Sequence, residues 1–511
     1  MLQKTSKKIK ILLWCLLVLA ALLIVAQILF SQKVKTAIAE QIPENISLQY
    51  GNLSTNVLLG KIQLEAVEIK NKSTLDSVRV KKLRISGLHY LPLVTKKAIQ
   101  IDHLLLETPV GQFRKPAQDS LKKTAPKNKP QTLSIGKFTI TEGQLTILKT
   151  EIDSVLLQLE KLDFSLSDFH FDPDTTQQKQ PFTFGAYQLE TQNLYADISP
   201  FEYLRLGKIQ LDNEYGVIED MVFRNKYSAE EFNTKITMER SHFNVSVDKI
   251  RLNQPDFLGT DIPKFHAPSI EVEHPVMEVY RNKLLPPNTI VKKLPNQMLR
   301  EMEVDLKIDS ILVSGGEVSF TKKTIPDVIP QKMILTDLNV RVKNLNNQNQ
   351  GLVVVDSENK IMGDGLFTMN YTFDPQNTDN AFIVKSSVSN FHTKSINAFM
   401  RSTLDVEVDG TINQMFFTVD GNEWTSLGEM KMNYEDFTFT ALKKDHVHVN
   451  KLKSSVANLL TKKGDRKADE DGFRHGQFHV ERDRTKWIIF YIWDNMKTGM
   501  MHTMLGSGKE R

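Results

Sequence analysis

Leu133 to Ile147 reads LSIGKFTITEGQLTI, and this stretch decides the fold. Apolar residues recur mostly at every second position, with lysine, threonine, glutamate and glutamine between them. That period marks a strand with one wet and one dry face. The pattern returns at 306–320 as LKIDSILVSGGEVSF, placing Gly143 on Gly316 and apolar positions on apolar positions. Around this pair, VRVKKLRI (78–85) matches VSVDKIRL (245–252), and LDFSL (162–166) matches LNVRV (338–342). GKIQL occurs verbatim at 60–64 and at 207–211. Matches that keep their order predict two tandem copies of one β-rich module.

Further out the same alternation holds. Ile62, Leu64, Val67 and Ile69 are spaced by charged or amide residues, with turn chemistry at Asn71-Lys72-Ser73 and Ser86-Gly87. Strands follow one another with almost no room for helices, which predicts an antiparallel meander rather than βαβ units. Two proline- and lysine-rich stretches, 114–131 and 281–296, read as loops. In the last third, KSINAFMR (394–401) predicts two helical turns, followed by strands near 404–408 and 415–419. Lys443 to Lys467 is strongly basic. Lys486 to Leu505 predicts a helix with Ile489, Trp493, Met496, Met500 and Met504 near one face and Gly499 weakening its middle.

At the start of the chain, Ile11 to Phe30 (ILLWCLLVLAALLIVAQILF) contains one polar side chain, Gln27, and no charge. At about 1.5 Å per residue such a helix crosses the roughly 30 Å core of a bilayer. Lys4, Lys7, Lys8 and Lys10 precede it, so the positive-inside rule predicts a cytoplasmic amino terminus. The run is too long for a signal peptide and lacks a good cleavage site. The helix is predicted to continue through Ala39 and to stop before Pro43. Cys15, the single cysteine, lies inside this run, so the exported body has no disulfide, thiol nucleophile or cysteine metal site. Net charge is +4 with 25% charged residues, which does not point to nucleic acid.

Chemistry-bearing motifs are missing. There is no G-x-S-x-G, P-loop, H-E-x-x-H or dinucleotide fingerprint. His446-Val447-His448 puts two imidazoles on one strand face, but an exposed polar strand face accounts for them. Asp469-Glu470-Asp471 lacks the alternate-oxygen spacing of a calcium loop and reads as a solvated turn. No catalytic, cofactor or metal residues are assigned, and the expectation is a protein that is not an enzyme. What stands out is the dry face. In the first module it carries Ile62, Leu64, Val78, Val80, Ile101, Leu133, Ile135, Ile140, Leu145, Ile147 and Phe164. In the second it carries Ile270, Val272, Ile308, Val313, Val318 and Phe320. Periodicity alone leaves two readings open, stacked β-sandwiches or one curved sheet whose dry face is a groove for acyl chains.

The amino-terminal helix, the opening run LSTNVLLGKIQLEAVEIKN, the repeated Ile140–Ile147 element with its glycine, and SINAFMRSTLDVEVDGTINQMFFTVDGN followed by MNYEDFTFTAL resemble the AsmA-like family of Gram-negative envelope proteins. The resemblance implies an elongated, mostly β, curved antiparallel groove of tandem modules, grouped with bridge-like lipid transfer proteins, with a transmembrane helix before it. It implies no catalytic residues. The expected division is a cytoplasmic tail (1–10), a transmembrane helix (11–30), β-groove modules at 40–200 and 201–385, an AsmA-like terminal domain (386–483) and an amphipathic helix with tail (484–511). The implied role is binding or conducting phospholipid between inner and outer membrane from an inner-membrane anchor, with the body in the periplasm and with membrane proteins as further partners. The rival is a non-catalytic scaffold or outer-membrane assembly factor. Trp487, Tyr491 and Trp493, with Lys486 and Lys497, are the residue types that would dock the terminal helix on a membrane. The competing expectation is a helix that caps the sheet.

Overall fold

Period-two patterning of the chain becomes strand almost throughout. The computed structural model describes residues 7–43, 45–95, 98–115, 132–150, 153–172, 182–257, 262–348, 351–442 and 469–505. Among them, twenty-two strands join in one large mixed sheet. The chain forms two units, residues 1–197 with 208–213, and residues 198–207 with 214–511.

The first unit opens with α1 (Lys7–Gln41), which ends two residues before Pro43. Next come β1 (Ile46–Gln49), β2 (Asn52–Asn56), β3 (Lys61–Asn71), β4 (Ser77–Ser86), α2 (Tyr90–Thr95) and β5 (Ile99–Arg114). After residues outside the description come β6 (Leu133–Leu148), β7 (Val155–Phe171), the short β8 (Phe182–Thr183) and β9 (Tyr187–Asp197); β10 (Glu202–Asp212) is divided between the units. β1 and β2 both pair with β3, and β3–β4, β4–β5, β6–β7 and β7–β9 are antiparallel.

β5 and β6, however, are parallel, with Ile101 beside Ile135 and Leu106 beside Ile140. The expectation of an unbroken antiparallel meander is corrected here. Parallel neighbours need a connection long enough to return the chain by a strand length, which a short turn cannot provide. The proline- and lysine-rich stretch after Arg114 has that length, and most of it lies outside the described residues.

The second unit contains β11 (Tyr215–Asn225), α3 (Ala229–Lys235), β12 (Ser241–Asn253), β13 (Lys264–Glu273), β14 (Val276–Asn282) and α4 (Pro295–Arg300). Ser228 and Glu231 close a reciprocal capping box at the start of α3. Then follow β15 (Asp305–Lys323), β16 (Lys332–Asn346), β17 (Val353–Ile361), β18 (Gly365–Phe373) and β19 (Phe382–His392). A 3-10 turn (Thr393–Ile396) leads into α5 (Asn397–Leu404), where two helical turns were expected. β20 (Val406–Gly421), β21 (Thr425–Ala441), β22 (Arg474–Glu481) and α6 (Ile488–Leu505) complete it. β15 runs parallel to both β13 and β14, again across a proline-containing connection, and every pairing from β15 to β22 is antiparallel.

Each unit carries a row of bulges crossing neighbouring strands at one height. In the first, Ala66, Thr108, Glu142, Lys161 and Asn193 all take left-handed backbone angles. Ladder pairs skip these positions: Glu65 faces Lys82 and Val67 faces Val80, while Glu107 faces Thr141 and Val110 faces Gln144. The second unit repeats the device at Asp220, His274, Gly315 and Asp337. Two of the local contacts correspond, a proline ring and a carbonyl of the next strand. A Cβ on Gly143 would meet Pro109 at 3.3 Å and the Leu162 carbonyl at 3.2 Å; on Gly316 it would meet Pro275 at 3.1 Å and the Leu338 carbonyl at 3.3 Å. The Glu142 amide donates to Asp163 Oδ1 (2.9 Å) and the Gly315 amide to Asn339 Oδ1 (3.3 Å). Each bulge bends its strand and increases twist. The verbatim GKIQL match behaves differently. Gly60 begins its copy in a turn at φ 54°, whereas Gly207 lies inside β10. Identical letters there occupy unlike places.

Gly315 sits at φ 63°, and an added Cβ would lie 2.7 Å from His274 Cδ2. Left-handed backbone disfavours a side chain by roughly 1–2 kcal/mol. Gly315→Ala should therefore lower stability by about that much in urea unfolding of the purified chain, with the transition slope unchanged. An unshifted midpoint would show that the bulge is not held in this conformation.

Candidate functional site

The dry face of the first unit is assembled by register. Ile62 faces Ile85 and Leu64 faces Leu83; Leu83 then faces Leu106, Leu106 faces Ile140, and Ile140 faces Phe164. Beyond the bulge row, Ile69 faces Val78, Val78 faces Gly111, Gly111 faces Leu145, and Leu145 faces Leu159. Leu145 lies five positions after Ile140, an odd step that plain alternation would send to the opposite face. The bulge absorbs it, and the apolar row continues. In the cluster around buried Leu64, Val67 and Val80, residues from both sides of the bulge pack together, including Leu53, Ile69, Leu83 and Leu106.

Ile62, Val78, Leu133, Ile140, Leu145, Ile147 and Phe164 are half-buried, whereas Ile101 and Ile135 are buried beside one another and next to Phe169. Leu83, Ile85, Leu104, Leu106 and Phe138 belong to these same rows and are missing from the list predicted from sequence. Their alternation is visible, but the partner across the ladder, which selects the face, is not.

In the second unit, Ile270 and Val272 lie beside Ile311 and Val313, and Ile308 is buried between Ala267 and Leu345. Val318 and Phe320 sit between β14 and β16, beside Met277 and Val279 on one side and Leu335 and Met333 on the other. Here helices cover the face. The Phe320 ring packs against Phe399 of α5 (6.5 Å between centroids) and Phe490 of α6 (5.8 Å).

α6 lies against β21 and β22. Its inward stripe is Tyr491, Ile492, Asn495, Gly499 and Thr503, which differs from the apolar stripe of Ile489, Trp493 and the methionines that periodicity marks. Ile489 and Trp493 are exposed, although Met504 is buried. Close approach explains the difference. A Cβ on Gly499 would meet Phe478 at 2.7 Å, and one on Gly476 would meet Thr503 at 2.6 Å, so small residues let helix and sheet touch. Buried Asn495 accepts from Ser426 Oγ (2.8 Å) and donates to the Tyr491 carbonyl (2.9 Å). Tyr491 packs edge-on to Phe382 at 5.8 Å, and burial pushes its phenol up.

Of the predicted docking residues, Trp487 and Trp493 face outward and Tyr491 faces the sheet. Lys486 pairs with Asp483 and Asp494, both at 3.3 Å, and Lys497 pairs with Asp494 at 3.0 Å. Nearby, buried Glu239 bonds Arg281 (2.9 Å) and Lys283 (2.6 Å). Burial holds the Lys322 ammonium below its ordinary range, and the charges of Lys283, Lys486 and Lys497 push it the same way.

Asp471 accepts from the Phe473 amide at 3.1 Å and pairs with His475 at 3.0 Å, in a turn closed by Gly472. The amide, foremost, holds its carboxyl below the usual range. Among the described residues no group of three or more His, Cys, Asp or Glu side chains could hold a metal ion. His446 and His448, with the basic stretch around them, lie outside the described residues. Compared with known proteins, the chain matches no family model and no curated protein sequence.

Proposed function

We propose that this protein is a membrane-anchored, non-catalytic body that binds or conducts phospholipid along its apolar β-face, between an inner membrane holding α1 and an outer membrane. One observation carries this reading: in the first unit an apolar row runs unbroken across the bulges of β3 to β7 while most of it stays only half-buried. A soluble domain gains by burying such a face fully, at about 25 cal/mol per Å². Acyl chains need a long apolar trough and few hydrogen bonds, which is what such a row offers. On this reading the paired bulge geometries of β5–β7 and β13–β16 are two copies of one module, bent alike, and the resemblance to the AsmA-like family supplies the two membranes between which lipid would pass. The outward Trp487 and Trp493 on α6 are a second lipid contact, at the far end of the chain from α1.

A second reading, an envelope scaffold or outer-membrane assembly factor, is favoured by the closure of Phe320 under α5 and α6. Site-specific photo-crosslinking separates the two. With a photoreactive phenylalanine analogue at Ile140, Leu145 or Phe164 of the full chain, phospholipid adducts are expected, and none at exposed Gln144. The analogue at Trp493 reports whether α6 meets lipid as well. Adducts at the anchor residue Ala20 but none at the three dry-face positions would favour the scaffold.

A further inference from the structure

Gln27, the one polar side chain of the apolar run, does not face lipid. Its amide donates to the Thr55 carbonyl (2.6 Å) and Thr55 Oγ1 (2.8 Å), and its Oε1 accepts from the Val57 amide (2.7 Å). Three residues on, Phe30 packs edge-on to Tyr90 at 5.6 Å, and the Tyr90 hydroxyl donates to the Val57 carbonyl at 2.7 Å. Among the described side chains of α1, Leu23, Ala26, Gln27, Phe30, Ser31 and Val34 are the half-buried ones, all on one helical face. The end of β2, the β2–β3 turn and α2 are thereby held against the last turns of the apolar run.

This fixes a depth. The first charges after the run are Lys33 and Lys35. At about 1.5 Å per residue, Gln27 lies roughly 9 Å before Lys33 along the helix. An unsatisfied amide at that depth costs several kcal/mol in hydrocarbon, so its bonds to Thr55 and Val57 bring a piece of the body to the same level. That piece is dressed for lipid. The turn Val57-Leu58-Leu59-Gly60 and α2, Tyr90-Leu91-Pro92-Leu93-Val94-Thr95, contain no charge. Leu58 is 70% exposed and Val94 is 79% exposed, and Leu59 and Leu91 are exposed to a similar degree. Charges return at once outside, at Lys61, Lys96 and Lys97.

We propose that the β2–β3 turn and α2 are a foot immersed in the body-side leaflet, bathed by acyl chains, so that the dry face begins inside the lipid layer. This rests on reading α1 as membrane-spanning. The foot supplies an entry: an acyl chain can pass from leaflet to Leu53 and Leu64 without crossing the head-group layer.

The test uses the full chain with Cys15→Ser, carrying one cysteine labelled with an environment-sensitive fluorophore. The protein is reconstituted in vesicles of phosphatidylethanolamine, phosphatidylglycerol and phosphatidylcholine spin-labelled on its acyl chain, at shallow and at deep carbons in parallel. Label sites are Ala20 in the anchor, Leu58→Cys, Val94→Cys, and Leu75→Cys in the exposed β3–β4 turn. Severalfold quenching at 20, 58 and 94 with none at 75 is the expected result. Quenching at 20 alone overturns the foot while leaving the anchor in place; if 58 and 94 are then also shielded from aqueous iodide, a protein partner covers them. Absence of quenching at 20 removes the anchor and the foot together. Equal quenching at all four sites overturns the foot as a distinct element.

Discussion

Glu423→Ala is expected to lower the stability of the second unit by about 3–5 kcal/mol, the cost of leaving a buried ion without its partner. Glu423 sits in the β20–β21 turn, where its carboxylate takes Arg482 Nη1 at 3.0 Å and Arg484 Nε at 2.9 Å. The Arg482 side chain is completely shielded from solvent. Its other partners are main-chain carbonyls of Lys292 and Glu423, and burial holds the guanidinium pKa below its ordinary value even with the carboxylate present. Without Glu423 the guanidinium keeps its charge and loses the counterion. Through Lys292 the same arginine also fastens the segment leading into α4, where Leu294 and, in the first turn of the helix, Asn296 are fully buried. Tryptophan fluorescence reads this out in urea, since Trp424, Trp487 and Trp493 all lie in the second unit and Arg484 stacks over Trp424 at 4.1 Å. Pairing the change with Arg482→Met should recover much of the loss, because the orphaned charge is then gone. A single-variant loss below about 1 kcal/mol would mean that water already reaches Arg482.

Phe478→Ala should be comparably severe, about 3–5 kcal/mol, through the cavity it leaves. The ring fills the slot between β21 and α6. Gly428 is its ladder partner, and a Cβ there would come within 2.1 Å of the ring; Gly499 of α6 stands on its other side. Both glycines are shaped around this one side chain, so their backbones do not close the gap when it is removed. α6 should loosen, with a red shift of the emission from Trp487 and Trp493 before the main urea transition. A single transition with wild-type midpoint would show that α6 is not held by this contact. The prediction also bears on the role of α6: a helix that covers Met430 and Phe478 is structural on its inner side, whatever its outer tryptophans meet.

Much of the fold is legible before any coordinates. Alternation places β3, β4, β6 and β7, the apolar run places α1, and Pro43 stops it; each is a local consequence of side-chain period or of a missing amide donor. The repeat aligning Gly143 with Gly316 leads to two bulges of matching geometry, since a glycine pressed against a proline and a neighbouring carbonyl has no room for a Cβ. The GKIQL identity, by contrast, marks unlike places, because five letters fix an alternation but not a strand's neighbours.

What sequence alone determined is therefore the element type, an amino-terminal helix long and apolar enough to span a membrane, and the presence of a dry face, all set by residues close along the chain. Tertiary structure decided the rest. It made β5–β6 and β13–β15 parallel, because direction depends on where a connection returns. It turned Asn495, Gly499 and Thr503 of α6 inward, because distance to the sheet outweighs hydrophobicity where Phe478 fills the gap. And it tied Gln27 to Thr55 and Val57, converting the one polar residue of an apolar helix into the point where the end of β2 is fastened to α1. No periodicity carries that contact, because its two halves are bound by hydrogen bonds across separate elements.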